Sequence, residues 1–189
     1  HLKVEAFAFS WRDVHDFQSL AFCSADLIVS TVGSWAAEHD LNQLLRGDDL
    51  PSAGLFTWIE PHAVAGHSIL VHPTQGGCME CLMDSWGTFA GRTCDPKPLV
   101  QSPGCAGFFQ PYGVAEMIPT ASMAVQQGID YLTGNITASQ RRTWLGAEGL
   151  YRKHGLTPIS CWAEKLILQP FGSIHHEALA PAIACNCCH

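Results

Sequence analysis

The sequence predicts an α/β protein with a largely parallel sheet, flanking helices and a metal site made of four cysteines. Three observations lead to this prediction. An apolar run at residues 25–32 precedes a helical pattern and further apolar runs, which is the order of a βαβ unit. Two Cys-x-x-Cys pairs lie far apart in the chain. Hydrophobic residues make up 47% of the 189 residues and charged residues only 14%, which is typical of a domain with a buried core.

Strands are predicted where apolar, aromatic and β-branched residues are concentrated. These segments are residues 4–9, 25–32, 54–59, 68–72, 142–145 and 159–162. The nearly continuous apolar run at residues 25–32 favours a strand covered on both faces, as in a parallel sheet.

Two longer helices are predicted from the spacing of apolar residues. Ser34 can cap a helix over residues 35–46, and Gly47 ends it. A second helix covers residues 114–132, with Pro119 either kinking it early or marking its first turn.

The whole chain, residues 1–189, is predicted to form one domain with three parts. Residues 25–75 hold the βαβ part. Residues 76–113 hold the first cysteine pair and a long loop rich in glycine, proline and cysteine. Residues 114–189 hold the second long helix, further strands and the second cysteine pair.

Charge and cysteine content exclude several classes of function. The formal net charge of -7 argues against a nucleic-acid or anionic-membrane partner, because both require a basic face. No apolar run reaches the roughly 18 residues of a membrane span. The nine cysteines are an odd number, and five of them lie in two short clusters. This pattern favours metal binding in a reducing cytoplasm over a secreted disulfide framework.

The two Cys-x-x-Cys pairs predict one structural zinc site. The predicted ligands share this spacing: Cys78 with Cys81, and Cys185 with Cys188. Four thiolates complete a tetrahedral zinc shell and leave no position for water, so the site is expected to stabilise structure and not to catalyse. Cys187 or His189 can replace Cys188 as the fourth ligand, and a redox pair with unrelated terminal cysteines is the alternative.

Five segments, in order, resemble parts of the E1-like ThiF/MoeB adenylyltransferase family. Residues 26–42 resemble its strand–turn–helix, and residues 58–67 (Trp-Ile-Glu-Pro-His-Ala-Val-Ala-Gly-His) are similar to the next strand and turn in the branch found in bacterial ubiquitin-like conjugation operons. Residues 77–82 match the first zinc pair. Residues 103–113 and the helix after them resemble the catalytic-cysteine segment, and the terminal pair falls where the family has its second zinc pair.

The resemblance implies a Rossmann-like fold and a defined chemistry. ATP and Mg²⁺ adenylate the C-terminus of a ubiquitin-like or similar protein, and a cysteine accepts it as a thioester. It implies that this cysteine is Cys105, with Cys94 as the alternative. Gly33, Ser34 and Glu60 fall on the nucleotide or substrate side. The alternatives are that Ser34 caps the helix, which is favoured over a nucleotide contact, and that Glu60 satisfies local backbone groups. A cytoplasmic homodimer with a possible E2-like partner is also implied.

The chain departs from the family pattern in two places. It contains no Gly-x-Gly-x-x-Gly turn for phosphate binding, so the N-terminal nucleotide-binding portion is expected to be missing. The turn that carries an aspartate for Mg·ATP in the family is Val32-Gly33-Ser34 here. This chain alone is therefore not expected to adenylate. Two other functions stay open: sulfur-carrier-protein adenylation for thiamine or molybdopterin synthesis, and a non-catalytic, zinc-stabilised interaction module.

Overall fold

The structure is a computed structural model, and it describes most of the chain. The described residues are 3–17, 19–47, 50–83, 88–95, 100–101, 108–109, 112–168 and 170–188. The predicted nucleophile Cys105 and the alternative ligand His189 lie outside them.

The chain begins with two short helices, α1 (Trp11–Phe17) and α2 (Ser19–Cys23). The strand predicted at residues 4–9 is wrong, because these residues form no regular element. Val4 is 84% exposed and Phe9 72% exposed. An apolar segment becomes a strand only when a neighbouring strand pairs with it, and none does so here among the described residues.

The predicted βαβ unit is present. Strand β1 (Leu27–Ser30) runs into helix α3 (Trp35–Arg46) and then into strand β2 (Ala53–Ile59). β1 and β2 pair in parallel, with Leu27 opposite Ala53. The bounds of α3 agree with the prediction. Ser34 stands at its N-cap position, but its side chain makes no capping hydrogen bond.

The remaining elements follow in chain order: β3 (Ala65–Val71), β4 (Val100–Gln101), β5 (Phe108–Phe109), α4 (Val114–Leu132), β6 (Gln140–Leu145), α5 (Glu148–Lys153), α6 (Ser160–Leu168) and β7 (Ile174–Ala178). Short 3₁₀ turns lie at Pro61–Ala63 and Met79–Leu82. Helix α4 has the predicted bounds and keeps Pro119 inside it.

The main sheet has the strand order β1-β2-β3-β6-β7. The largely parallel sheet that the sequence predicted is wrong, because only β1 and β2 pair in parallel and the three other pairings are antiparallel. A short turn joins β2 to β3. Such a turn can only reverse the chain into an antiparallel hairpin, whereas a parallel neighbour needs a crossover of a dozen residues or more. The fold is therefore a mixed α/β sheet with flanking helices.

Helices cover both faces of the sheet at β2 and β3, which explains why these two strands are largely apolar. Phe56 and Ile69 lie opposite each other in β2 and β3 and belong to a core that includes Leu45 of α3. Their neighbours Leu55 and Leu70 point to the other face. There α4 packs against β2, β3 and β6. Antiparallel strands buried on both faces lose the polar alternation that would distinguish them from parallel ones.

The strand predicted at residues 159–162 is also wrong, because Ser160 begins α6. The indole N–H of Trp162 donates to the carbonyl of Gly91 at 3.2 Å, and the ring is 1% exposed. A short apolar run is compatible with either a strand or a buried helical turn. The packing of Trp162 in the folded chain therefore decides between the two.

No helix in the described part of the chain combines the length and the apolar character needed to cross a membrane.

Candidate metal centre and adjoining cavity

The two Cys-x-x-Cys pairs meet in space. The first pair lies at the short turn Met79–Leu82, which Cys78 immediately precedes and which we call the clasp turn. The second pair lies in the chain after β7. Their sulfur atoms all lie within 4.8 Å of one another, and we call this group the cysteine clasp: Cys78, Cys81, Cys185 and Cys188. The sequence therefore identified four residues that the fold brings together.

The sulfur positions fit a tetrahedral metal site. Cys78 Sγ lies 4.0 Å from Cys81 Sγ and 3.6 Å from Cys185 Sγ, and Cys81 Sγ lies 3.5 Å from Cys188 Sγ. Zinc–thiolate bonds of about 2.3 Å at tetrahedral angles place sulfur atoms about 3.8 Å apart. The clasp can therefore hold a single ion without rearrangement.

Hydrogen-bond donors contact two sulfur atoms of the clasp, and those at Cys81 favour its thiolate form. The backbone N–H groups of Cys78 and Ala182 donate to Cys81 Sγ at 3.4 and 3.3 Å. Burial opposes ionisation of Cys81, but these amides outweigh it and lower its pKa. Arg46 Nη2 donates to Cys188 Sγ at 3.7 Å. Such outer donors orient metal ligands and balance their charge.

Cys188 shows why a cation is needed to complete the group. Burial, followed by its neighbour Cys81, raises the pKa of the Cys188 thiol to about 11. A bound cation lowers the pKa of such a thiol, because it stabilises the thiolate directly and the proton is released. The four-sulfur donor set therefore suits a thiophilic ion, and zinc is its commonest occupant.

Two glycines connect the clasp to the chain end. Gly76 has φ +89, and a Cβ on Gly77 would lie 2.5 Å from the carbonyl oxygen of Ala180. The Gly77 N–H donates to the carbonyl of Leu179 at 2.6 Å. Only residues without a side chain allow this approach, so the turn and the C-terminal segment come together as one unit.

A cavity of about 720 Å³ lies beside the clasp, at the carboxyl ends of the parallel strands β1 and β2. Thr31 follows β1, Ile59 ends β2, and Met79 from the cysteine turn lines the same space. Aromatic side chains form much of its wall: Trp35, Trp58, Phe89 and Tyr112. In α/β sheets, ligands bind in the crevice outside the carboxyl ends of parallel strands.

Gly33, which the sequence placed on the nucleotide or substrate side, lines this cavity and has φ +65. Its N–H donates to Oε1 of Glu38 at 3.3 Å, and the Ser30 hydroxyl donates to the same oxygen at 3.0 Å. Glu38 is buried, and that burial raises its pKa. The sequence analysis missed Glu38, although an acidic residue in the first turn of a helix after an apolar strand was the available signal.

Glu60 does not line the cavity. It is buried below the turn between β2 and β3 and joins a separate polar network. Its Oε1 accepts from the Thr93 N–H at 2.6 Å and lies 2.7 Å from His67 Nε2. The Thr93 hydroxyl donates to Oε2 at 2.8 Å. In the same turn, His62 and Ala63 have φ 59 and 50, a left-handed conformation that strains residues with a side chain.

The charge state of this network follows from its hydrogen bonds. Burial would raise the pKa of Glu60, but donation from His67 and Thr93 outweighs it and lowers the pKa. Burial lowers the pKa of His67. Glu60 is therefore ionised, and neutral His67 donates from Nε2 while its Nδ1 accepts from Thr143 at 3.0 Å.

Cys94, the alternative nucleophile, belongs to the same network. It is 2% exposed, and its Sγ donates to Glu60 Oε2 at 3.4 Å. Burial and the Glu60 charge raise its pKa to about 12. A thiol with these surroundings stays protonated at neutral pH and reacts slowly.

Comparison of the chain with models of protein families finds no match, and neither does a search of curated proteins. Its function therefore has to be inferred from its own residues and geometry.

Proposed function

We propose that this chain is the C-terminal part of an E1-like, Rossmann-type activating domain that works on the C-terminus of a ubiquitin-like or similar protein. The observation that carries the proposal is the position of the cysteine clasp. Its turn supplies Met79 and Met83 to the wall of the cavity at the ends of β1 and β2. A zinc-stabilised turn beside a crevice at strand ends suits a site that receives an extended peptide tail.

The lining of the cavity supports a peptide tail as its occupant. Methionine and aromatic side chains provide adaptable apolar contacts, while Glu38, Thr31 and Thr57 provide a few polar groups. Neither lysine nor arginine is among the lining residues within the described part of the chain. The triphosphate of ATP, with Mg²⁺, is therefore assigned to a separate nucleotide-binding portion.

The proposed reaction has two steps. A carboxylate oxygen of the tail attacks the α-phosphorus of ATP, and pyrophosphate leaves. A cysteine thiolate then attacks the acyl carbon of the adenylate, and AMP leaves with the thioester formed. Cys105 is the proposed nucleophile. Small residues flank Cys105 in the sequence, so they leave room for a peptide tail. Cys94, in contrast, is buried and its thiol has a pKa raised to about 12.

The experiment combines this chain with the nucleotide-binding portion of an E1-like domain, and adds ATP, Mg²⁺ and a ubiquitin-like protein. We expect an adduct that dithiothreitol cleaves and that disappears in Cys105→Ala. Cys94→Ala and Cys161→Ala serve as thiol controls, and both should keep the adduct. If the adduct is lost only in Cys94→Ala, the nucleophile is Cys94 and not Cys105.

Release of pyrophosphate without a cysteine adduct in any of these proteins would favour the sulfur-carrier route, in which the adenylate goes on to a thiocarboxylate. No pyrophosphate release at all would favour the non-catalytic interaction module. One observation favours that module: the turn at residues 32–34 itself contains no acidic residue that could bind Mg²⁺. A homodimer, an E2-like partner and a cytoplasmic, bacterial setting belong to the same proposal.

A further inference from the structure

A second group of metal-binding side chains lies against the clasp. The donor atoms of Cys78, Glu80 and Cys187 lie within 4.8 Å of one another. Cys78 is thus common to both groups. We propose that the second group binds its own divalent cation, so that the Cys78 thiolate bridges two metal ions. The inference rests on the zinc clasp of the proposed function but not on adenylation.

The local fold brings these donors together. Glu80 lies inside the Cys-x-x-Cys turn, and its Oε2 is 3.8 Å from Cys185 Sγ. Asn42 of α3 holds both sides of the group. Its Oδ1 accepts from the Met79 N–H at 2.9 Å, and its Nδ2 donates to Cys187 Sγ at 3.7 Å. Asn42 is 0% exposed, so the two contacts are held by packing.

Charge balance favours a second cation. Four thiolates around one divalent ion carry a net charge of about −2, and the Glu80 carboxylate beside them adds one more negative charge. Concentrated negative charge that is partly buried needs a cation as its partner.

One of the three ligands of the second site, Glu80, faces a surface cavity. A cavity of about 760 Å³ is lined by Glu80 together with His39, Trp35 and Asn186. The His39 ring contacts the Glu80 carboxylate, as ring nitrogens do when they orient metal-binding carboxylates. Two sulfurs and one carboxylate favour zinc or a similar cation over magnesium or calcium. With three protein ligands, this ion keeps an exchangeable position and should dissociate before the ion of the clasp.

The test counts metal ions. Reduced protein is saturated with zinc, desalted and analysed by native mass spectrometry and elemental analysis. We expect two ions in the unmodified protein and one in Cys187→Ala and in Glu80→Gln. Cys161→Ala and Glu148→Gln, which change an exposed cysteine and an exposed glutamate elsewhere, should keep two ions. Circular dichroism checks that each variant is folded.

Each other result decides against the proposal. If the unmodified protein binds one ion, the second site does not exist and the clasp alone binds metal. If it binds no ion, the clasp is not a metal site either. Two ions in every variant would place the second ion elsewhere. Loss of both ions in folded Cys187→Ala would make Cys187 a ligand of the clasp.

Discussion

Glu60 joins parts of the chain that are distant in sequence. Its carboxylate accepts from Thr93 in the loop after the clasp turn, and it contacts His67 within β3. The sequence placed Glu60 beside a nucleotide or substrate. The structure instead buries it in hydrogen bonds, which was the alternative that the sequence left open. An ionised carboxylate at this depth holds the loop and the sheet together only while all its donors stay in place.

The network predicts acid sensitivity. The folded pKa of His67 is lowered, so below about pH 6.5 the unfolded chain binds a proton that the folded chain does not, and stability falls. His72, His175 and His176 have lowered pKa values too and add to this decrease. The folded pKa of Glu60 is also lowered, so its contribution is lost as pH falls from about 4.3 towards the folded pKa.

Urea unfolding between pH 8 and pH 4 tests this, because the range extends from about 1.5 units above the unfolded histidine pKa to just below the unfolded glutamate pKa. The free energy of unfolding should decrease throughout the acid range, and less steeply for His67→Gln than for the unmodified protein. A free energy of unfolding that rises on acidification from pH 7 to pH 5, about one and a half units below the histidine value, would contradict the assigned directions.

At the scale of elements, the clasp turn and the segment after β7 form one structural unit. The Gly77 backbone contacts residues 179 and 180, and Ser139, just before β6, donates its N–H to Gln75 at 2.9 Å. These bonds attach the segment before the turn to the start of β6 and to the chain end without involving the sulfur atoms. Backbone contacts therefore help to hold the two cysteine pairs together.

The substitution Gly77→Ala tests the close approach between the Gly77 backbone and the C-terminal segment. A Cβ at this position would lie 2.5 Å from the Ala180 carbonyl oxygen and 3.2 Å from Cys81 Sγ. The backbone has to move, and we expect a loss of about 1–3 kcal/mol in the free energy of unfolding together with weaker zinc binding. Gly149→Ala is the matched control, because open space surrounds that position. Equal stability and zinc affinity in the two variants would show that the approach at Gly77 is not required.

At the scale of the whole molecule, the sheet has packing that does not depend on the clasp. On one face, Phe56 and Ile69 share a core with α3 and with the buried members of the clasp, Cys78 and Cys185. The sheet also has a second covered face under α4. Loss of metal should therefore loosen the chain end without unfolding the sheet.

Hydrogen exchange with and without a strong zinc chelator measures this. We expect faster exchange in residues 179–188 and in the clasp turn after chelation, while β2 and β3 keep their protection. Rapid exchange in β2 and β3 as well would mean that the fold depends on the ion as a whole. Unchanged exchange at the chain end would mean that the clasp binds no stabilising ion.

The sequence predicted the features that depend on neighbouring residues. The bounds of α3 and α4 follow from apolar spacing and from the residues at their ends, because a helix is built from contacts three and four residues apart. The same holds for the unit of β1, α3 and β2. Each Cys-x-x-Cys pair was visible because both thiols belong to one turn.

Contacts between distant segments were decided only by the tertiary structure. These include the antiparallel neighbours of β3, the helix at Trp162, the burial of Glu60 and Cys94, and the meeting of Glu80 with Cys187. The reason is physical. Local spacing determines which residues share a turn or a face, whereas hydrogen bonding and close packing between segments determine which turns and faces meet. The sequence by itself thus supplied four metal-binding cysteines, and the fold decided that they surround one point beside a cavity.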